Sequence, residues 1–415
     1  MDPADSFPSR TETSSRRAAL GTCSGAHFIH DGFSDVLYLL LPVWQAEFAL
    51  TLTQVGIIKT LYSGSMAAFQ VPMGMLAERM GERGLLALGT ILTGAGFLVL
   101  GLAGGFASLA AFLVLAGAAS SVQHPLSSAL VSKAFRTGGM RAALGIYNFA
   151  GDLGKTAVPA LIALIIVVIG WRWSAAGYGA IGMVFGVAVY FVLVRLKLGA
   201  KPAALPAGDT GATKETTKGK ITGWGIRHVR GFTLLSAIGV IDGAGRYGFL
   251  TFVPFLLIGK GAGVETVGFA LALVFAGGAV GKFVCGLLAE KMGIIRSVIL
   301  TELMTGLGIF LLLPLPLGVT LWLLPLIGIG LNGTSSVLYG SVSDFVTEEK
   351  RSRGFGLFYT MTIGGGSIAP FVFGMVSDMA GVTVTLSIIA VFVLMAIPLA
   401  LALNGPLKQA TAEGI

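Results

Sequence analysis

Long apolar runs alternate with short polar connections along this chain, and their spacing predicts helices that cross a membrane. Twelve predominantly apolar stretches lie at about 18–41, 53–77, 84–103, 108–132, 141–166, 175–196, 231–258, 266–289, 296–315, 319–344, 353–379 and 383–403. Each reaches the length of about 20 residues that spans the hydrocarbon as an α-helix. The pattern also repeats. GMLAERMGER begins at Gly74 and GLLAEKMGIIR at Gly286, an offset of 212 residues. Asp31-Gly32, Arg141, Tyr147 and Pro159 recur as Asp242-Gly243, Arg353, Tyr359 and Pro370, at offsets of 211 or 212. A duplicated unit of about half the chain is a common way to build a membrane transporter.

The expected fold is an all-α membrane protein with twelve transmembrane helices in two pseudo-symmetric six-helix bundles. The expected organisation is an N-terminal tail over 1–17, a first bundle over 18–198, a linker over 199–230, a second bundle over 231–403 and a C-terminal tail over 404–415. The linker is the long polar interior stretch, with Lys201, Lys214, Lys218, Lys220, Arg227 and Arg230 among Thr, Gly and Ala. Trp224, followed by basic residues, suits the membrane surface.

Composition agrees with lipid as the solvent: 54% of the 415 residues are hydrophobic and 12% charged, against about a quarter charged in soluble domains. The net charge of +8 points to nucleic acid only until the bases are located. Of 28 Lys and Arg, 22 fall in one alternate set of connections and tails, and the opposite set holds Arg172 and Lys260. Such asymmetry marks the cytoplasmic side. Both termini are therefore expected in the cytoplasm of a cell with this protein in its inner membrane, in contact with lipid and with no nucleic-acid partner. Residues 1–17 carry Asp2 and Asp5 and do not read as a cleavable signal. Cys23 and Cys285 lie in different halves, so no disulfide framework is implied, and no paired Cys/His spacing suggests a metal. No nucleophile–base–orienter set is evident, which argues against an enzyme, and no cofactor is expected.

Charges inside the spans carry the chemistry. An ionised side chain at mid-membrane costs at least about 2.5–3.5 kcal/mol on insertion scales, so it needs a partner or water. Counting about 1.5 Å per residue from the nearest basic boundary puts Asp31, Lys155 and Arg246 roughly 21–24 Å deep and Asp152 and Asp242 roughly 16–18 Å deep. Ser24, His27, Asp31, Asp35 and Tyr38 form one stripe at three- and four-residue spacing, Asn148, Asp152 and Lys155 a second, and Asp242 and Arg246 a third. Asp152 with Lys155, and Asp242 with Arg246, are also spaced to neutralise each other as structural ion pairs. Arg246 offers a planar fork suited to a carboxylate, phosphonate or sulfonate, and Lys155 a compact positive charge. Asp31 has only His27 and His30 as bases within one turn, which makes it the leading proton carrier, with the histidines relaying or sharing the proton. Asp152 is a further proton candidate. Lys59 is expected to snorkel from the outer end of its span, and Lys282 is a secondary substrate or gate candidate. Gln123, His124, Tyr147 and Tyr359 are further candidates for the pocket wall, as are Tyr62, Gln70, Asn332 and Tyr339, although polar residues on spans more often bond between helices.

The G-x-L-A-E-R-x-G-x-R signature between spans two and three, with its second copy between spans eight and nine, resembles the major facilitator superfamily. AHFIHD ending at Asp31, GAASSVQHPLSSAL from Gly117 and YNFAGDLGKTAVPAL from Tyr147 are similar to the fosmidomycin-resistance branch over most of the first half. His30, Asp152, Lys155 and Val158 depart from that branch's pattern. The resemblance implies a monomeric transporter whose stripes share one cavity, and proton-driven export of small, often anionic, compounds. It also implies gating by Glu78, Arg79 and Arg83 with Glu290, Lys291 and Arg296, as charge networks present in only one state. The expected function is a proton-coupled antiporter exporting a small amphipathic or anionic compound by alternating access. Uptake of a small organic anion by symport or exchange is the alternative, and a non-transporting sensor or scaffold the rival from another class.

Overall fold

The computed structural model describes residues 10–136, 138–201, 225–347 and 351–412. Among these the chain is helical, apart from one isolated antiparallel bridge between Ile226 and Val346. The first half contains α1 (Arg10–Phe48), α2 (Leu52–Met80), α3 (Glu82–Leu100), α4 (Phe106–Ser120), α5 (Gln123–Ala134) and α6 (Met140–Arg195). The second contains α7 (Val229–Gly259), α8 (Val264–Met292), α9 (Ile294–Leu312), α10 (Leu317–Ser341) with a 3₁₀ turn over Val342–Phe345, α11 (Arg351–Ala380), α12 (Val382–Leu394) and α13 (Ala396–Ala412).

The expected apolar stretches coincide with these helices to within a few residues at their ends, with three differences in how they are cut. The fourth is divided between α4 and α5 and the last between α12 and α13, while the fifth and sixth run together as α6, broken only at Gly170. Helix α1 begins at Arg10, within the expected N-terminal tail, and α13 continues to Ala412, within the expected C-terminal tail. Most of the expected linker, 202–224 with Trp224 and Lys214, lies outside the described residues.

Nine helical stretches among the described residues are long and apolar enough to cross a membrane, which makes this a multi-pass membrane protein. One of them, Ala142–Arg195, has 54 residues, more than twice the length of about 20 that a bilayer needs. The two long helices outside that set, α1 and α2, carry Asp31, Asp35 and Lys59. The duplication read from the sequence reappears in the backbone. Gly81 (φ 83°, ψ 157°) and Gly293 (φ 82°, ψ 161°) make the same sharp joint between α2 and α3 and between α8 and α9. Gly170 (φ 75°, ψ 162°) and Gly381 (φ 85°, ψ 162°) make another such pair. This conformation is essentially open to glycine alone.

Packing differs at the two ends of the molecule. At the end that carries the 2–3 and 8–9 loops there are two separate cores. One is built from first-half residues such as Cys23, Ala77, Leu126, Leu130 and Leu193. The other uses second-half residues such as Phe232, Leu338, Phe345, Phe358 and Leu403. Away from those loops a single core joins the halves, mixing Leu50, Val55 and Ile162 with Phe249, Ala369 and Phe373.

Small residues bring the halves together at this second end. A Cβ at Gly56 of α2 would lie 2.0 Å from the Pro370 carbonyl oxygen of α11, and one at Gly268 of α8 would lie 2.2 Å from Ala163 of α6. The start of α2 completes the contact. A helix leaves its first four N–H groups without intrahelical partners. Here Thr51 and Gln54 satisfy each other's N–H in a capping box, at 3.0 and 3.1 Å. Asp378 of α11 accepts the remaining two, from Leu52 at 2.7 Å and Thr53 at 2.8 Å. One half therefore caps a helix of the other, with a negative charge at the favourable pole of the helix dipole.

Asp378→Ala is expected to weaken the α2–α11 contact by about 0.5–2 kcal/mol, the range for a lost cap, and to raise the population with these helices apart by roughly 2–30-fold. Spin labels near the start of α2 and the end of α11 would report it as a longer distance component. An unchanged distance distribution would show that the carboxylate does not hold the halves together.

Candidate functional site

The polar stripe of α1 presents His27, Asp31 and Asp35 on one face, because residues four apart lie above one another on a helix. Two glycines of α6 let that face come close. A Cβ at Gly151 would lie 2.6 Å from Asp31 Oδ2 and from the His27 ring, and one at Gly154 would lie 2.2 Å from the Phe28 carbonyl oxygen. Asp31 is thereby enclosed, with 3% of its surface accessible. His27 Nε2 and Lys155 Nζ each lie 3.3 Å from Oδ2, and His30 Nε2 and His124 Nε2 lie 3.8 and 4.0 Å from Oδ1.

Each ring is held from behind. His27 Nδ1 is 2.9 Å from the Tyr147 carbonyl, which can only accept, so Nδ1 carries a proton. The His27 ring also stacks on Tyr147 with centroids 4.2 Å apart. His30 Nδ1 is 2.9 Å from Ser120 Oγ, in a chain that continues through Tyr62 OH to Ser34 Oγ. His124 meets both other rings edge-on, at 5.1 and 4.8 Å. The sequence shows only two bases within a turn of Asp31; folding adds Lys155 from α6 and His124 from α5.

The expected Asp152–Lys155 pair is loose, at 4.0 Å. Asp152 is engaged instead by Lys282 of α8, at 2.5 Å. This bond crosses between the halves, and it moves Lys282 from a secondary candidate into the centre of the site. The result is a continuous line of charge: the histidines, Asp31, Lys155, Asp152 and Lys282.

Lys59 corrects an expectation. It does not snorkel outward but is 2% exposed, with Nζ donating to the Ser34 carbonyl at 3.0 Å and lying 4.0 Å above the ring of Tyr38. Arg246 and Asp242 do not form the ion pair that their spacing suggested: no carboxylate oxygen among the described residues is within 4.0 Å of Arg246. Both line a small cavity with Ser335, Tyr339 and Thr362. Asp35 is buried and makes no ion pair among the described residues, although Lys155, Lys59 and Arg246 all act on it electrostatically.

Of the other candidates, Gln123 is buried and donates to Ser127 at 3.0 Å, so its amide is committed within α5. Tyr359 is half-exposed and stacks on Tyr339 with centroids 4.5 Å apart, whereas Asn148 is exposed on α6. The sequence reading missed Glu302. It is 2% exposed on α9, and its Oε1 has no hydrogen-bond partner among the described residues. A single acid in an otherwise apolar span was the signal available. Glu78, Arg79, Glu290, Lys291 and Arg296 are exposed, and none of the six expected gating residues, Arg83 included, is in an ion pair among the described residues. The ion pair near these loops joins Lys133 to Glu82 within the first half.

The chain matches the model of the Major Facilitator Superfamily over residues 23–325 and 235–413, and it belongs to that family. It is 30% identical over 164 residues to a fosmidomycin resistance protein of Escherichia coli (strain K12); that match covers 39% of this chain and 40% of the relative. A longer match, 25% identical over 380 residues, covers 89% of this chain and 88% of the uncharacterized MFS-type transporter YfnC of Bacillus subtilis (strain 168). Its fold is similar to that of a bacterial homologue of the human lysosomal transporter Spinster in an inward-facing, unoccupied form. The TM-score is 0.77 at 16% identity, with 97% of this chain and 99% of that one covered. The protein is a membrane transporter of this superfamily, acting on a small molecule.

Asp31→Asn leaves Lys155 without its nearest counter-charge. Loss of one partner of a fully buried pair costs about 3–5 kcal/mol. Because Lys155 is 29% exposed, about 1–3 kcal/mol is expected after screening by water. Adding Lys155→Met should restore part of the lost thermal stability in detergent. Identical melting of the single and double variants would show that the two charges are not coupled.

Proposed function

We propose that this protein is a proton-coupled secondary transporter of a small anionic or amphipathic compound, working by alternating access. In this reading twelve crossings form a first bundle over 18–198 and a second over 231–403, joined by the linker over 199–230, and a single chain suffices for transport. The positive-inside rule puts the loops with Arg79, Arg83, Lys291 and Arg296 in the cytoplasm of an inner membrane. Two separate cores at that end, and no ion pair for the six gating charges among the described residues, support reading this form as inward-facing. The rival reading as a sensor or scaffold has less support, since the central charges link both halves.

One observation carries the coupling: Lys155 pairs with Asp31 at 3.3 Å, in the same line of charge that reaches Lys282 of the second half. A proton on Asp31, shared with His27 and His30 and with Asp152 as the next acid in line, releases Lys155. Lys155 is then free for the anionic group of a substrate, together with Arg246, on which Asp242 acts electrostatically without making an ion pair within 4.0 Å among the described residues. Asp35, Tyr38, Asn148, Tyr147, His124 and Tyr359 complete the surroundings, and Lys282 and Lys59 add positive charge. Proton and anion therefore favour each other's binding, and by linkage the effect is reciprocal.

Mutual reinforcement favours carrying the two together, which is symport, over the export by antiport expected from the sequence. Export keeps one support: the similarity over part of the chain to a protein named for fosmidomycin resistance. Proteoliposomes containing a pH dye separate the two. Carboxylates, sulfonates and phosphonates are added outside with no initial pH difference. Symport acidifies the lumen when the transported anion is added, whereas antiport makes it alkaline. Arg246→Ala and Lys155→Met are each expected to raise the half-saturating concentration about 10–150-fold, the equivalent of a lost charge-assisted hydrogen bond of about 1.5–3 kcal/mol. Lumen pH that responds only to neutral or cationic compounds, or equally in these variants, would sink the reading.

A further inference from the structure

The sequence contains four histidines, and three of them converge on one carboxylate although they come from α1 and α5. One ring nitrogen of His27, one of His124 and an oxygen of Asp31 all lie within 4.8 Å of one another. The geometry points to a binding site for a divalent transition-metal ion of the zinc type at His27, Asp31 and His124, with His30 facing the same carboxylate.

Four features carry this. First, two imidazoles and a carboxylate are a recurrent ligand set for zinc, which binds nitrogen at about 2.0–2.1 Å and oxygen at about 2.0–2.2 Å. Second, the His27 tautomer is fixed. Its Nδ1–H donates to the Tyr147 carbonyl, so the neutral ring turns the Nε2 lone pair toward Asp31 Oδ2, 3.3 Å away. Two acceptors facing each other are favourable only with a proton or a cation between them or beside them. A histidine ligand anchored through its other nitrogen to a backbone carbonyl is also the usual outer arrangement of a metal site. Third, His30 is 6% exposed and anchored through Nδ1 to Ser120, yet its Nε2 is buried without a hydrogen-bond partner among the described residues and lies 3.8 Å from Asp31 Oδ1. Fourth, the two carboxylate oxygens have different neighbours. Oδ2 faces Lys155 and His27, while Oδ1 faces His30 and His124 and has no hydrogen bond among the described residues. An ion that His124 draws to Oδ1 leaves Oδ2 to Lys155, and His27 reaches it from the Oδ2 side. His124 is 40% exposed at the start of α5, so it can move the remaining distance and gives the ion a way in.

Ions of this class favour imidazole nitrogen, whereas magnesium and calcium favour oxygen sets. Binding requires neutral histidines and an ionised carboxylate, so a metal and a proton compete for the same groups. The inference does not depend on the substrate or on the direction of transport, and it is tested by binding alone.

The test uses full-length protein without a histidine tag, purified in detergent and titrated with Co²⁺, whose visible absorption reports nitrogen and oxygen ligands in a four-coordinate site. The expected result is a saturable set of visible bands that one equivalent of Zn²⁺ abolishes. His124→Ala, which touches an exposed ring, should weaken Co²⁺ binding at least about 100-fold, beyond the roughly 10–100-fold lost with an outer-shell partner. His228→Asn removes the remaining histidine while keeping a side chain able to cap α7, and should leave the bands unchanged. Absence of bands in the parent, bands that survive in His124→Ala, bands lost in His228→Asn, or failure of Zn²⁺ to displace Co²⁺ would each overturn the site.

Discussion

A carboxylate in the middle of a membrane must be answered by positive charge, a proton or water, and the centre of this protein is arranged around that requirement at Asp31. The answer comes from three helices rather than one. α1 supplies His27 and His30, α5 supplies His124, and α6 supplies Lys155. No helix alone balances its own charges, so the first half is held to one arrangement by electrostatics as well as by packing. Glycine makes the arrangement possible, because a side chain at Gly151 would collide with both Asp31 and His27. Buried ion pairs add little stability, since desolvation offsets their attraction. Their presence here is better understood through what they can exchange.

The same logic connects the halves. Asp152 belongs to the first and Lys282 to the second, and their contact joins the halves within the line of charge that begins at Asp31. Farther from the basic loops, Asp378 of α11 completes the cap of α2. These contacts differ in kind from the shared apolar core around them. Apolar packing tolerates small shifts gradually, whereas a capped helix end or a buried ion pair is either made or broken. A few polar contacts, each made or broken as a unit, therefore cross between the halves beside the apolar core that they share. At the opposite end the two cores are already independent, so separation there leaves each half intact.

Much of the local structure was legible in the chain itself. Apolar run length gave the helices, because backbone groups in lipid must be satisfied within the helix. The repeated GMLAERMGER and GLLAEKMGIIR segments announced a duplication that reappears as matching glycine joints at Gly81 and Gly293. The helical phase of Asp31, Asp152 and Arg246 identified the stripes. The pairing of charges was less legible. Spacing suggested Asp152 with Lys155 and Asp242 with Arg246, the local solution in each case. The fold gave Asp152 to Lys282 and left Arg246 with no ion pair within 4.0 Å among the described residues, because helix crossing decides which neighbours come within reach. Lys59 was judged from its distance along the span, which cannot tell a lipid-facing lysine from one turned inward over Tyr38.

What the sequence determined by itself is the solvent, the secondary structure and the residues able to carry charge, all of which follow from composition and from the 3.6-residue period. What tertiary structure alone decided is which charges meet, at which end the two halves keep separate cores, and how the distant His124 and Lys155 join His27 and His30 around one acid. Those outcomes depend on the relative placement of helices separated by many residues, and no local pattern encodes it.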